Sequence, residues 1–176
     1  MTTFRTARLV LRPACAGDLE ALHAIMRQPR AMAYWSTPPH ESREQTADFL
    51  DGMMTIPQGQ GEDFVIEHGG RLIGKAGLYR FPEIGYLLDP ALWGRGLACE
   101  ALTAVIDRAF TVHDLPRIQA DVDPRNTASI RLLERLGFHE THRQERTWLV
   151  GEQWCDSVYF ALVLSSFRPF GRLADA

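Results

Sequence analysis

Small residues recur at alternate positions in the loop from Trp93 to Ala98, with glycine at 94 and 96 and alanine at 98. Residues without a large side chain let backbone N–H groups come close to a bound group. A helix-forming run follows the loop, and the first turn of a helix carries unpaired N–H groups and the positive end of the helix dipole. The loop therefore predicts an anion site, with phosphate as the expected ligand.

Two common phosphate-binding motifs do not fit this loop. The chain has no GxxxxGK run that is followed by Ser or Thr, as a nucleoside-triphosphate loop requires. A dinucleotide loop of the form GxGxxG that starts at Gly94 would place Cys99 where a third glycine or alanine belongs. Arg95 is expected to contact a phosphate group, and a solvated surface position is the alternative.

The loop lies between two predicted elements. Residues 84–88 form an apolar run rich in strand formers, and Asp89-Pro90 is a turn signal. From Ala98 onward, apolar residues recur at helical spacing. A strand, a turn, a glycine loop and a helix in this order place the predicted anion site at a helix N-terminus.

The rest of the chain alternates between strand and helix patterns. Gly69-Gly70, between two strand-like runs, predicts a hairpin. The other predicted strands are 6–13, 64–67, 72–79, 117–123, 138–150 and 156–164, and the other predicted helices are 18–28, 41–54 and 126–136. These patterns predict an α/β protein of the α+β kind, with one domain over 1–166 and a loose C-terminal tail over 167–176.

Composition limits the classes of protein and partner. The 176 residues, 45% of them hydrophobic and 23% charged, suffice for one well-filled domain. The net charge is −3 without a Lys/Arg-rich run, so no nucleic-acid partner is expected. Neither a secretory signal nor a membrane-spanning run is recognised, so a cytoplasmic protein without membrane association is expected. The three cysteines and six histidines lack metal-type spacing, so no metal site is expected.

Three segments together resemble the GNAT N-acetyltransferases. Gly96 and Ala98 occupy the small positions of the acyl-CoA pyrophosphate loop, Q/R-x-x-G-x-G/A, while Trp93 replaces its Gln or Arg. An aromatic-Gly-basic-Gly loop after an IGY strand is similar to the RimJ/RimL branch, the ribosomal-protein N-terminal acetyltransferases. The segments 6–13 and 126–138 resemble two further blocks of that branch.

The resemblance implies a GNAT fold, with a mixed central sheet of about seven strands, splayed in the middle, and about four flanking helices. It also implies acetyl-CoA as co-substrate, with its pantetheine arm in the gap between strands 84–88 and 117–123. Backbone N–H groups of Leu87 and Leu88 are expected to polarise the thioester carbonyl. The other expected cofactor contacts are Trp93, Gly94, Arg95, Gly96, Leu97, Ala98 and Asn126.

The chemistry implied by the resemblance is direct attack of an amine on the thioester, which requires a neutral amine and a proton for the departing thiolate. Leu133 stands where many GNAT enzymes carry Tyr, so a tyrosine acid is excluded and Ser129 is the expected acid, with an ordered water as the alternative. Asn126 is expected to orient the cofactor amides; helix capping by Asn126 and packing of Ser129 are the alternatives. Glu83 is the expected base, with Asp121 as second choice. For either residue the alternative is a solvated carboxylate at a strand end, with a water-relayed base in its place.

Tyr34, Trp35 and Tyr86 are expected to contact the acceptor, and core packing is the alternative for Tyr34 and Trp35. The expected reaction moves acetyl to a primary amine, with the N-terminal α-amine of a protein or peptide as first choice. A small amine such as an aminoglycoside, polyamine or amino acid is the alternative acceptor. A catalytically silent acyl-CoA-binding module is the alternative of another class. A monomer or homodimer is expected.

Overall fold

The computed structural model describes residues 2–167, which form five helices and eight strands. The helices are α1 (Leu19–Met26), α2 (Pro29–Met32), α3 (Arg43–Met54), α4 (Leu97–Thr111) and α5 (Thr127–Arg135). The strands are β1 (Phe4–Arg5), β2 (Leu9–Pro13), β3 (Glu62–His68), β4 (Arg71–Arg80), β5 (Glu83–Leu88), β6 (Arg117–Val122), β7 (His139–Val150) and β8 (Gln153–Val163). Within these residues no helix is long and apolar enough to span a membrane.

The described strands form one mixed sheet in the order β1-β2-β3-β4-β5-β6-β8-β7. Only β5 and β6 among them run parallel as neighbours. A single bridge, Glu83 opposite Gln119, joins these two strands, and the Gln119 N–H donates to the Pro82 carbonyl oxygen at 2.9 Å. Beyond this bridge β5 and β6 separate. The predicted mixed, splayed sheet is confirmed.

Local turns explain why the structure has more elements than the sequence predicts. The pattern predicts one strand over 6–13, but the Thr6 hydroxyl accepts a hydrogen bond from the Leu9 N–H at 3.0 Å, and the chain turns there into the β1–β2 hairpin. Pro29 begins α2, because its fixed φ suits the first helical position. The predicted hairpin at Gly69-Gly70 is confirmed, with both glycines at positive φ between β3 and β4.

The sheet is covered on both faces. Side chains alternate along β5, so that Ile84 and Leu88 join the apolar core beneath α4 and α5, whereas Leu87 joins the core beneath α1, α2 and α3. The first core also contains Phe167, the first residue of the predicted tail, which packs against Phe110. The rest of that tail, 168–176, lies outside the described residues.

A buried polar cluster joins α1 to α3. The Thr46 hydroxyl lies 2.8 Å from His23 Nδ1 and 2.9 Å from His40 Nδ1, and all three residues are buried. Burial, with a smaller contribution from the nearby His23, lowers the pKa of His40. The packing of these helices therefore favours an uncharged His40.

Candidate active site

The backbone of β5 offers hydrogen-bond donors to the gap between β5 and β6. The Asp89 N–H donates to the Ile73 carbonyl oxygen of β4 at 2.8 Å. Hydrogen-bonded positions alternate along an antiparallel ladder, so Leu87, two residues earlier, also bonds to β4. The N–H groups of Tyr86 and Leu88 therefore point towards the gap. The Leu87 N–H, which was expected to face the gap, is thus part of the β4 ladder, and the Tyr86 N–H faces the gap beside that of Leu88.

The loop after β5 turns through two glycines in the left-handed region. Gly94 has a φ of 76° and Gly96 a φ of 75°, a backbone conformation that other residues adopt only with strain. Gly96 is the N-cap of α4, and no side chain among residues 2–167 caps this helix start. The first N–H groups of α4, from Leu97 and Ala98 onward, therefore remain available to an anion, together with the positive end of the helix dipole.

Glu100 fixes this loop to the N-terminal hairpin. Its carboxylate accepts hydrogen bonds from the Thr6 hydroxyl, the Arg8 N–H and Arg8 Nε at distances of 2.5 to 2.8 Å. Burial raises the pKa of Glu100, but these hydrogen bonds outweigh it, so the pKa is lowered. Arg8 Nη1 also donates to the Arg95 carbonyl oxygen at 3.0 Å, while the Arg95 side chain is exposed beside the loop. The loop is therefore held in shape before any ligand binds.

Trp93 supports the loop from the other side. Its indole Nε1 donates to the Leu88 carbonyl oxygen at 2.9 Å, and the Arg30 guanidinium lies 5.1 Å from the centre of its ring. Trp93 thus ties the end of β5 to α2. A contact with the cofactor stays a prediction for this half-exposed side chain.

Two hydroxyl groups meet across the gap. Tyr86 Oη on β5 lies 2.5 Å from Ser129 Oγ on α5, in a cavity of about 100 Å³ between β5 and β6. Burial raises the pKa of Tyr86 to about 12, against a smaller lowering by Ser129. The Tyr86 side chain lies against Ser129, and its expected contact with the acceptor stays a prediction. The sequence excludes a tyrosine acid because Leu133 fills the usual place on α5; the structure brings a tyrosine hydroxyl to the site from β5.

Asn126 performs the capping role that the sequence leaves as an alternative. Its Oδ1 accepts a hydrogen bond from the Ser129 N–H at 3.1 Å and so caps α5. Asn126 also lines the cavity that holds the two hydroxyl groups. The cap therefore fixes Ser129 relative to β5, and contact of the Asn126 amide with the cofactor stays a prediction.

A second cavity of about 570 Å³ lies on the face of the sheet covered by α1, α2 and α3. Its walls come from the segment after α2, from α3, from β4 and β5, and from the β7–β8 hairpin. The two cavities meet where β5 and β6 separate, because both are lined by Tyr34, Trp35, Ile84, Gly85, Asp121 and Asp123. Tyr34 and Trp35, expected to contact the acceptor, therefore lie at the junction.

The two candidate bases occupy different positions. Asp121 lies at the junction of the cavities and accepts a hydrogen bond from Trp148 Nε1 at 2.9 Å. Glu83 accepts hydrogen bonds from Tyr79 Oη at 2.5 Å and Arg80 Nη2 at 2.8 Å, and is absent from the described lining of both cavities. Burial and the nearby Glu83 raise the pKa of Tyr79. Glu83 thus borders the larger cavity through Tyr79, whereas Asp121 lines it directly.

A buried ion pair lines the larger cavity and was not predicted from the sequence. Lys75 Nζ lies 2.7 Å from Asp63 Oδ2, and each side chain is 2% exposed. Burial raises the pKa of Asp63. The available signal was a charged residue inside each of two neighbouring apolar strands, with glycines on both sides of Lys75-Ala76. Among residues 2–167, no group of three His, Cys, Asp or Glu side chains is placed to hold a metal ion.

A mixed sheet that opens between two parallel central strands, beside a helix that begins at a glycine loop, is the arrangement expected from the resemblance to acyl-CoA-dependent transferases. The chain belongs to the GNAT acetyltransferase family, since the family described as "Acetyltransferase (GNAT) domain" matches residues 8–139. It is an N-acetyltransferase that uses acetyl-CoA.

The relatives differ in their acceptors. The chain is 33% identical over 149 residues to the uncharacterized N-acetyltransferase p20 of Bacillus licheniformis, covering 80% of this chain and 84% of that protein. It is 31% identical over 157 residues to the spermidine N(1)-acetyltransferase of Escherichia coli K12, covering 84% and 82%. Its fold resembles, with a TM-score of 0.80, 20% identity and coverage of 90% and 96%, the Salmonella typhimurium acetyltransferase that modifies the N-terminal serine of ribosomal protein L7/L12.

Proposed function

We propose that the protein transfers acetyl from acetyl-CoA to the N-terminal α-amine of a protein or peptide. The observation that carries the proposal is the junction of the two cavities at Gly85 and Asp121. A thioester that enters along the gap and an amine that enters through the larger cavity would meet there. This arrangement supports direct transfer, because reactants held in contact need no covalent enzyme intermediate.

The donor would lie along β5. The pyrophosphate of acetyl-CoA fits the start of α4 at Gly96, where backbone N–H groups and the helix dipole favour an anion. The N–H groups of Tyr86 and Leu88 point into the gap and would stabilise the oxyanion that forms on the thioester carbonyl, a contribution of roughly 3 kcal/mol per donor.

The proton for the departing thiolate would come from Ser129. Its hydroxyl lies in the gap and is hydrogen-bonded to Tyr86 Oη, whose raised pKa keeps that group protonated at neutral pH. Ser129 would give its proton to the thiolate and regain one from Tyr86, which would recover its proton from solvent water. Asn126 would hold Ser129 in place through the N-cap hydrogen bond.

The proton on the attacking amine would pass to Asp121, which lines the junction. Glu83, the first choice from the sequence, would act only through Tyr79. A weak base is sufficient for an α-amine, because its pKa near ~8 leaves a useful neutral fraction at pH 7, whereas a lysine amine at ~10.4 would need far more help.

The size and walls of the larger cavity support a peptide acceptor. About 570 Å³ bounded by elements as distant in sequence as α3 and the β7–β8 hairpin can accept more than an isolated amino group. A small amine such as spermidine is the second candidate, because the cavity lining includes the carboxylates of Asp48, Asp121 and Asp156.

The test is a panel of acceptors with purified protein and acetyl-CoA. Peptides with free N-termini, spermidine, an aminoglycoside and free amino acids are compared by thiol release, and products are located by mass spectrometry. We expect the highest kcat/KM with peptides and acetylation at the α-amine. A clear preference for spermidine would overturn the peptide assignment, and tight CoA binding without turnover of any amine would favour a silent binding module.

A further inference from the structure

Lys75 places a buried ammonium group in the wall of the larger cavity. The Trp35, Phe49 and Tyr79 rings have their centres 5.7 to 6.0 Å from Nζ. Asp63 Oδ2 accepts one hydrogen bond from this group, while Asp63 Oδ1 accepts one from the Phe64 N–H at 3.1 Å. An ammonium has three N–H donors, and aromatic faces attract the charge without supplying an acceptor atom. Among residues 2–167, Asp63 is the recorded acceptor for this ammonium, so donors of Lys75 remain for an oxygen atom of a ligand.

The positive end of this pair points towards the junction of the cavities. Gly77 and Gly85 face each other across β4 and β5. A β-carbon on Gly77 would lie 2.5 Å from Asp63 Oδ1, whereas a β-carbon on Gly85 would lie 3.7 Å from Lys75 Nζ. Asp63 thus lies over Gly77, and the Lys75 ammonium lies towards Gly85, which lines both cavities. A β-carbon on Gly85 would also lie 3.2 Å from Tyr79 Cδ1, so the Tyr79 ring and the ammonium both lie over this glycine, which itself places no side chain between the ammonium and the junction.

We infer that Lys75 selects acceptors in which the carbon that bears the amine is bonded directly to a carbonyl group. Peptide N-termini and amino-acid amides have this carbonyl group, and alkyl amines such as spermidine do not. The ammonium would donate a hydrogen bond to its oxygen. The inference rests on the proposed function and specifies its acceptor class.

A second effect of Lys75 acts in the same direction. A nearby positive charge disfavours an ammonium and so favours the neutral amine that attack requires. It also opposes a second ammonium close to the reacting nitrogen, as a polyamine would bring. The carboxylates of Asp48, Asp121 and Asp156 attract any cationic amine and therefore do not distinguish these acceptors. Lys75 does.

The test compares acceptors that differ in the carbonyl group. The acceptors are a tripeptide amide with a free N-terminus, spermidine, and the matched pair glycinamide and ethylamine. Lys75→Met should lower kcat/KM for the tripeptide and glycinamide about 10- to 100-fold, as expected for loss of a charged hydrogen bond. The values for spermidine and ethylamine should stay within about 3-fold of the wild type or rise.

A second variant guards against misfolding. Lys75→Met leaves Asp63 buried without its cation, which destabilises the fold. Asp63→Asn/Lys75→Met removes both charges, and it should show the same change in acceptor preference with a melting temperature nearer to that of the wild type.

The outcomes separate the inference from the proposed function. Equal losses for all four acceptors in the double variant would overturn the inference, because a structural role moves them together. A wild-type preference for spermidine that Lys75→Met leaves unchanged would overturn it too, with acetyl transfer intact. Absence of turnover by the wild type with every amine would overturn the proposed function and the inference with it.

Discussion

The proposed acetyl-CoA side of the site is built from backbone groups, and the proposed acceptor side is built from side chains. The donor groups belong to one continuous segment, β5 with the glycine loop and the start of α4. The acceptor cavity is lined by rings and charges from α3, β4, β6 and the β7–β8 hairpin. Backbone groups can be arranged by many sequences, whereas the acceptor wall depends on particular side chains. The spermidine acetyltransferase that this chain is similar to and the ribosomal-protein acetyltransferase that shares its fold are named for different acceptors.

The largest effect is expected from a change in the glycine loop, where backbone N–H groups are proposed to bind the pyrophosphate of acetyl-CoA. Gly96→Val should raise the KM for acetyl-CoA about 100-fold, because a branched residue at a φ of 75° strains the loop and brings a side chain to the phosphate site. Steady-state kinetics measure it. Gly59→Val is the matched control, since Gly59 has a φ of 80° with open space around it. Unchanged acetyl-CoA affinity in folded Gly96→Val would remove this loop from the donor site.

A smaller effect is expected from a change to Ser129, whose side chain is proposed to protonate the departing thiolate. Ser129→Ala should lower kcat about 10- to 100-fold and leave acetyl-CoA binding within a few-fold, because an acid acts only as the thiolate departs. Tyr86→Phe is the companion variant, and its loss should be smaller because Ser129 keeps its own hydroxyl. If Ser129→Ala changes KM or stability but not kcat, Ser129 has only a packing role.

The proposed general base, Asp121, lies in the lining of the larger cavity. Asp121→Asn should lower kcat/KM about 10-fold at pH 7, because part of the amine is neutral without help, and the loss should shrink as pH rises and more of the amine becomes neutral. Asparagine can still accept the hydrogen bond from Trp148. Glu83→Gln should change the pH–rate profile less, since Glu83 borders the cavity through Tyr79. The opposite pattern would assign the base to Glu83.

The smallest effect concerns the packing of α1 against α3, the helix that lines the larger cavity. The pKa of His40 is lowered below 6.5 in the fold, so the unfolded chain binds the proton first as pH falls. Stability is complete above pH 6.5 and declines as pH falls towards the folded pKa. The melting temperature should fall by a few degrees between pH 7.5 and 5.5, as roughly 1 kcal/mol moves it by 2–4 °C in a domain of this size.

Two variants identify the group responsible for this pH dependence. His40→Phe should flatten the dependence of the melting temperature on pH, because the buried imidazole is gone. His139→Gln, at an exposed position, should leave it as in the wild type. An unchanged slope in His40→Phe would show that other groups take up the proton.

The part of the site built from one continuous segment could be predicted from the sequence. The predicted strand 84–88 and the predicted helix starts at Ala98 and Asn126 lie within one residue of β5, α4 and α5. Glycine loops and hydrophobic periodicity are local signals, so the donor side can be read along the chain. The prediction for the Leu87 N–H differs from the structure by one residue, because N–H groups alternate in direction along a strand and the Tyr86 N–H faces the gap.

The acceptor side and the hydroxyl pair depend on contacts between distant residues. Tyr86 and Ser129 are 43 positions apart, and Trp148 and Asp121 are 27 apart. Such contacts follow from strand order and register, which periodicity does not determine. The Lys75–Asp63 pair likewise appears only when β3 and β4 are aligned with the shift between Ile66 and Glu67.

Because a single bridge, Glu83 opposite Gln119, joins β5 to β6, bound acetyl-CoA would stabilise the folded protein as well as take part in the reaction. Without the cofactor, the amides of Tyr86 and Leu88 belong to an interior strand edge, and such amides exchange readily with deuterium and invite pairing with other chains. A pantetheine arm bonded to them would protect that edge as an added strand does. At a concentration of 100 times its dissociation constant, a ligand that binds only the folded state adds about 2.7 kcal/mol to stability. Supply of the cofactor would thus govern how long the enzyme resists proteolysis and aggregation.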